Sequence, residues 1–354
     1  MANYSSKSYH EQIKIKNIEK LRKLESELPS YCHVFFRGIS DNTGNRTKVA
    51  YAYDLQIFFK FVNDHIVDTP YPSIKDIPLS VIENIGKFDI ESYMEYLSWY
   101  EGPDGTTHTN DERGKSRKLS ALRSFYAYLY ESELLKSNPA SIVHMPKLHE
   151  KNIIRLEPDE VAKLLDIIEN GSESESGHQK KFHARTMQRD LALITLLLGT
   201  GIRVSECVGL DIKDIDFDNG AIRIVRKGGN EAKVYFGEEV EEALTNYLDE
   251  RMGIIALPGH ENALFLSIQN KRITVRAVEN LVKKYASQVT TLKKITPHKL
   301  RSTYGTELYK ESGDIYLVAS VLGHKDVNTT RKHYASMNEE QKRKAADMVK
   351  LRKD

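Results

Sequence analysis

Apolar residues recur at helical spacing along most of this chain, and that periodicity is the strongest constraint on its fold. Ile13, Ile15, Ile18, Leu21, Leu24 and Leu28 mark one amphipathic helix, and Val49, Tyr53, Ile57, Phe58, Phe61 and Val62 mark a second over residues 47–63. Two more helical segments, 89–100 and 116–132, flank Glu101-Gly102-Pro103-Asp104-Gly105, a cluster of turn residues. Nothing in this first third alternates like a strand. Further on, Ala221-Ile222-Arg223-Ile224-Val225 and Ala232-Lys233-Val234-Tyr235-Phe236 are β-prone runs on either side of Lys227-Gly228-Gly229-Asn230, a hairpin signal. The helical pattern then resumes over 238–251, 275–287, 298–312 and 314–322. The expected fold is mainly α, with a small antiparallel β-sheet in the second half.

A chain of 354 residues exceeds one small core, so two domains are expected. Asn138-Pro139-Ala140 stops the first helical bundle, and Met145-Pro146-Lys147 opens an extended linker, because proline removes a donor and turns its predecessor away from the helix. Leu156-Glu157-Pro158-Asp159-Glu160 then starts a new helix with acidic residues in its first turn. The division read from this is an N-terminal helical domain over 1–144, a linker over 145–154 and a C-terminal α-rich domain over 155–354. Within the latter, the hydrophilic stretch 171–181 reads as an exposed loop, and the very apolar 189–198 as a buried helical spine.

Composition narrows the function classes. The chain is 40% hydrophobic and 29% charged, no apolar run reaches membrane-spanning length, and the first residues lack the layout of a signal peptide. Cys32 and Cys207 fit no disulfide or zinc spacing, so a reducing cytoplasm is the expected home. A net charge of only +2 does not announce a nucleic-acid binder, but phosphate neutralisation is local and depends on clustering.

Chemistry concentrates in the second domain. Arg203 follows the Gly199-Thr200-Gly201 break with Glu206 three residues on; a guanidinium grips two phosphate oxygens at any relevant pH, yet alone such a pair is an ordinary surface contact. Lys227 is either a solvated turn lysine or an ammonium brought by a flexible loop to protonate a leaving alkoxide, with Arg226 its rival. His298 and Arg301 share a face at a helix start after Thr296-Pro297, where the N-terminus also attracts phosphate. Leu322-Gly323-His324 ends a helix at a glycine suited to a left-handed cap. Tyr334 comes ten positions later, one of 19 tyrosines, each by default a core or interface residue. A zinc site from His298, His324 and His333 matches no usual spacing and lacks a fourth ligand, so no metal is expected.

In this order, Gly-Thr-Gly-Ile-Arg-Val-Ser-Glu, the hairpin lysine, His298-Lys299-Leu300-Arg301, Leu-Gly-His and the late Tyr334 resemble the tyrosine recombinase/integrase family. Ser116-Arg117-Lys118-Leu119-Ser120-Ala121-Leu122-Arg123-Ser124-Phe125-Tyr126 and Asn138-Pro139-Ala140 look like that family's core-binding domain and its exit into the linker. The resemblance covers about residues 46–335. It is strongest to the Xer-type recombinases, and the long N-terminal helix with the 171–181 insertion is similar to the single-recombinase branch called XerS.

The resemblance implies a two-domain DNA clamp, a helical core-binding domain followed by a catalytic domain. It implies that Arg203 and Arg301 clamp the scissile phosphate, where losing one preorganised donor typically costs about 100- to 1,000-fold in rate. His324 would donate a third hydrogen bond, and His298 would take the phenol proton or hold the phosphate. Lys227 would be the general acid for the 5′ oxygen, and Glu206 would stand behind these groups and orient one of them. Tyr334 would form a 3′-phosphotyrosyl link that conserves bond energy, so neither ATP nor a metal is needed and no cofactor is expected. DNA contacts are expected from Arg46, Lys48, Lys115, Arg117, Lys118 and Arg123 in the first domain. In the second they are expected from Arg272, Arg276, Lys283 and Lys284, and affinity should fall steeply with salt.

The implied partner is double-stranded DNA carrying an inverted-repeat recombination site. The tail 337–354 would dock on a neighbour to build a homotetramer on two sites, with an accessory protein left open and no membrane. The implied function is site-specific recombination through a Holliday junction, with Xer-type chromosome dimer resolution ahead of an integrase from a conjugative transposon or phage. A non-catalytic DNA-binding relative and a type IB topoisomerase are more distant readings. One position departs from the family pattern: the nucleophile usually falls nine residues after the histidine, where this chain has His333. An extra helical residue turns a side chain by about 100° and advances it about 1.5 Å. The insertion is therefore expected to be absorbed in Lys325-Asp326-Val327-Asn328, ahead of the helix; Tyr309 and Tyr316 lie on the wrong side of the motif.

Overall fold

The structure, a computed structural model, describes residues 7–102, 105–149, 153–171, 176–226, 229–324, 326–328 and 330. The chain forms two compact units, residues 7–151 and 152 onward. Both are mainly helical.

The first unit contains α1 (Tyr9–Glu25), α2 (Tyr31–Gly38), α3 (Asn45–His65), α4 (Leu79–Asn84), α5 (Lys87–Tyr96) and α6 (Glu112–Glu131). Ser8 and Glu11 close a reciprocal capping box at the start of α1, and Asp111 accepts the Gly114 N–H at 2.9 Å to start α6. The core is aromatic: Phe35 meets Phe125 edge-on at 5.4 Å, and Phe58 meets Tyr93 likewise at 5.2 Å. One expectation fails here. Residues on either side of the turn cluster pair as a two-stranded antiparallel ribbon, β1 (Trp99–Glu101) and β2 (Thr107–Thr109), with Trp99 opposite Thr109. Three-residue strands are too short to show an alternating pattern, so α5 ends at Tyr96 rather than running to Tyr100.

The second unit is built on α8 (Gly177–Thr200), whose Ala192, Leu193, Ile194, Leu196 and Leu197 are fully buried. Packed against it are α7 (Pro158–Asn170), α10 (Glu238–Met252) and α12 (Pro297–Ser312). Between α8 and α10 come the one-turn α9 (Val204–Cys207) and a three-stranded antiparallel sheet, β3 (Ile215–Asp216), β4 (Ala221–Val225) and β5 (Glu231–Tyr235), in that order. The amphipathic α11 (Val275–Val289) buries Val278, Val282, Tyr285 and Ala286, and α13 (Ile315–Leu322) follows α12. Residues 177–181 of the stretch expected to be loop are helical. Ser176 accepts the Gln179 N–H while the Gln179 side chain accepts the Ser176 N–H at 2.8 Å, so α8 begins a full three turns before its apolar part.

Candidate active site

Three chain reversals converge in the second unit, and each is made by a glycine or a cap. Helix α8 ends at Gly201 in the left-handed region, φ 61°. A Cβ there would stand 2.4 Å from the Tyr304 ring and 2.9 Å from Leu322, so α12 and the end of α13 come up directly against this turn. Two residues on, Arg203 is the N-cap of α9. Its backbone N–H donates to Glu206 Oε2 at 2.7 Å and its Nη1 donates to Oε1 at 2.9 Å, so one buried carboxylate holds both ends of the residue. Glu206 is 4% exposed and Arg203 38%, which aims the guanidinium outward from a fixed base.

Arg301 stands on α12 one turn after His298, and it is buried. Its Nη1 donates to the Gly201 carbonyl and its Nη2 to the Leu322 carbonyl, stapling the first turn to the third. These two backbone bonds fix the plane of the fork. His298 is exposed in the first turn of α12, after Pro297. Helix α13 ends at Gly323, φ 63°, and the His324 N–H returns to the Ala319 carbonyl at 2.9 Å. The His324 Nδ1 lies 2.7 Å from the hydroxyl of Thr330, a fully buried residue. That bond locks the ring, and nothing in the sequence singles Thr330 out.

Arg203, Glu206, Arg301 and His324 therefore belong to one connected group of turns. Lys227, Tyr334, His333 and the tail 337–354 lie outside the described residues. Tyr309 is buried in a small cluster with Val318 and Leu322, and Tyr316 is 70% exposed on α13. Val327 and Asn328 are already helical, and Asp326 Oδ1 accepts the Asn328 N–H at 2.9 Å. Val327 and Asn328, two of the four residues expected to absorb the insertion, are therefore part of a helical turn. Among the described residues, no three His, Cys, Asp or Glu side chains are placed to hold a metal, and no helix is long and apolar enough to cross a membrane.

The expected DNA contacts divide. Arg46, Arg276, Lys283 and Lys284 are exposed, Arg276 with Glu279 at 3.2 Å and Lys284 over the Tyr285 ring at 4.5 Å. Arg117 is half exposed and paired with Asp54, and Lys115 donates to Ser98 Oγ at 2.6 Å. The other four are bound to internal oxygens, an arrangement the sequence did not suggest. Lys48 is buried and donates to Ser40; Lys118 is buried and donates to Asn110 Oδ1 at 2.7 Å. Burial also lowers the Lys118 pKa, against the pull of nearby Asp54. Arg123 binds the carbonyls of Ala140 and Val143, and Arg272 binds those of Val208 and Leu210 together with the Asp211 carboxylate. These cations hold loops and the chain leaving the bundle.

A phosphate-sized anion beside fixed guanidinium and imidazole groups is the chemistry this geometry suits, within a mostly helical domain bearing a three-stranded sheet. Known proteins share this fold. The Phage integrase family matches residues 154–341. A tyrosine recombinase XerC from Caldanaerobacter subterraneus is 32% identical over 324 residues, covering 88% of this chain and 84% of that protein. A tyrosine recombinase XerS from Lactococcus lactis is 31% identical over 352 residues, covering 93% of this chain and 97% of that protein. Among solved structures, XerH in a post-cleavage complex with a palindromic difH substrate has a TM-score of 0.63 at 21% identity, covering 87% of this chain and 81% of that one. The Tn1549 transposon integrase with transposon right-end DNA has a TM-score of 0.64 at 21% identity, covering 89% and 99%. The chain belongs to the phage integrase family of tyrosine recombinases. It is an enzyme of DNA strand breakage and rejoining, with Xer-type relatives.

Proposed function

We propose that this recombinase resolves chromosome dimers as a Xer-type enzyme acting on paired inverted-repeat sites. The observation that carries this reading is the match to XerS, which runs through both domains and nearly the whole of each chain. The likeness to a transposon integrase rests on fold at lower identity.

In the proposed reaction Tyr334 attacks the scissile phosphorus. The phenol proton passes to His298, the P–O5′ bond breaks, and the 5′ oxygen takes a proton from Lys227. Attack by the 5′ hydroxyl of the partner strand reverses each transfer and leads through a Holliday junction, with no net hydrolysis. Arg203, Arg301 and His324 bind the non-bridging oxygens, and Glu206 fixes Arg203. For a neutral His324 to donate through Nε2, its Nδ1 must accept; the Thr330 hydroxyl beside Nδ1 supplies that donor. DNA is held by exposed cations, Arg46 and Arg117 in one unit and Arg276, Lys283 and Lys284 in the other, with the tail linking four protomers in the cytoplasm.

The test is a supercoiled plasmid carrying two directly repeated chromosomal sites, compared with a plasmid carrying none. Dimer resolution predicts two smaller circles only from the paired-site plasmid, and chromosome dimers in cells lacking the gene. Products only with mobile-element ends would make it an integrase. Relaxation of the site-free plasmid would make it a topoisomerase.

A further inference from the structure

The hairpin neighbour Arg226 does something that neither its sequence position nor the reaction accounts for. It stands where β4 enters the loop of the β4–β5 hairpin, its N–H bonded to the Asn230 carbonyl at 2.8 Å, and its side chain leaves the sheet altogether. The Nη2 donates to the carbonyl of Val321 at 3.0 Å, the penultimate residue of α13. The guanidinium lies flat on Gly323: a Cβ there would fall 1.8 Å from Nη1, 2.3 Å from Cζ and 2.8 Å from Nε. The Nε is buried and meets no acceptor among the described residues. Such a donor is costly to bury, so the group is held here by shape and by its other bonds.

The partner carbonyl is the other half of the observation. Arg301 takes the Leu322 carbonyl and Arg226 takes that of Val321, so two guanidiniums from different elements cap consecutive carbonyls at the negative end of α13. The next residues are Gly323 and His324. We propose that Arg226 is a positioning residue: it clamps the turn after α13 and thereby sets the His324 imidazole against the scissile phosphate. This also gives Gly323 a second reason to be glycine, since any side chain would displace the guanidinium as well as strain the backbone. The proposal rests on the reading of His324 as a phosphate-binding group.

The test is a double-mutant cycle on the rate of covalent protein–DNA complex formation with a nicked site, using the wild-type chain, Arg226→Ala, His324→Ala and the double variant. DNA affinity and thermal midpoint are measured in parallel. The expected result is a roughly 10- to 100-fold slower Arg226→Ala at saturating DNA, with affinity within a few-fold, by analogy with other residues that orient a functional group. In the His324→Ala background the same substitution should cost less than about 2-fold, because the group it acts through is gone. Equal losses in both backgrounds overturn the proposal. So does full rescue of Arg226→Ala by a 5′-bridging phosphorothiolate, whose sulfur leaves without a general acid, because the defect would then lie in leaving-group protonation. A wild-type chain that forms no adduct would instead refute the recombinase site itself.

Discussion

Gly201→Ala probes the convergence of turns on which the site depends. The alanine would carry φ 61°, a region that costs an L-residue roughly 1–2 kcal/mol. Its Cβ would meet the Tyr304 ring at 2.4 Å and Leu322 at 2.9 Å, and such overpacking costs about 1–3 kcal/mol. Reduced freedom of the unfolded chain returns about 0.4–1 kcal/mol, leaving a net loss of roughly 2–4 kcal/mol. For a domain near 200 residues that lowers the unfolding midpoint by about 5–15 °C. The two clashing side chains sit on α12, which carries Arg301, and on α13, whose end leads into His324, so DNA cleavage should fall further than stability alone explains. The comparison is Gly177→Ala on the same helix, where nothing lies within 4 Å and φ is not positive; it should be neutral or slightly stabilising. Thermal unfolding followed by circular dichroism, with cleavage of a nicked site at a temperature where both variants are folded, reads both effects. A Gly201→Ala midpoint within about 1 °C of Gly177→Ala would refute the packing argument.

Thr330→Val keeps shape but removes the hydroxyl beside His324 Nδ1; one hydrogen bond of about 1 kcal/mol predicts roughly 5-fold slower cleavage with unchanged DNA affinity, measured in single turnover. Tyr334→Phe should bind DNA and trap no covalent complex on a nicked site, and an adduct from this variant would move the nucleophile elsewhere. In a salt titration of DNA affinity, replacing Lys283 or Arg276 should each flatten the log–log slope by about 0.9 if it contacts a phosphate. Lys118→Ala should instead lower the thermal midpoint and leave that slope alone, because Lys118 is bonded to Asn110 inside the bundle. Burial raises the Asp54 pKa above its ordinary value, against the pull of Arg117 and Lys118, so ionising Asp54 costs more in the folded than in the unfolded chain. Its contribution to stability is therefore lost as pH rises through that raised value, and Asp54→Asn should gain relative to wild type over that interval in denaturant midpoints taken from acid to neutral pH.

Long helices were legible because their apolar spacing repeats over several turns; α3, α6, α10 and α11 lie within a few residues of where that spacing put them. Short elements were not. The eight residues of α2 and the three-residue strands of the β1–β2 ribbon hold too few periods to be told from a loop, and their existence depends on what they pack against. The early start of α8 was readable in principle, since Ser176 and Gln179 have the spacing of a capping box, but the surrounding serines and glutamates masked it.

The site shows a sharper division, between what a side chain is and where its partners are. Motif order names Arg203, His298, Arg301 and His324, because only certain residue types can hold an anion. It cannot say that Lys118, Arg123 and Arg272 are spent on internal oxygens while Lys283 is exposed, since a cation's partner is chosen by tertiary contacts far away in sequence. Arg203 and Arg301 look equivalent in sequence, yet the structure separates them. Arg301 is buried and holds two turns together through the Gly201 and Leu322 carbonyls, so Arg301→Ala removes scaffold along with the proposed phosphate donor, and its rate loss mixes the two. Arg203 is more than a third exposed and leans on a single carboxylate, so Arg203→Lys leaves the turns in place. The clean measure of what one guanidinium adds to the reaction therefore comes from Arg203, where charge is retained and only the planar fork is lost.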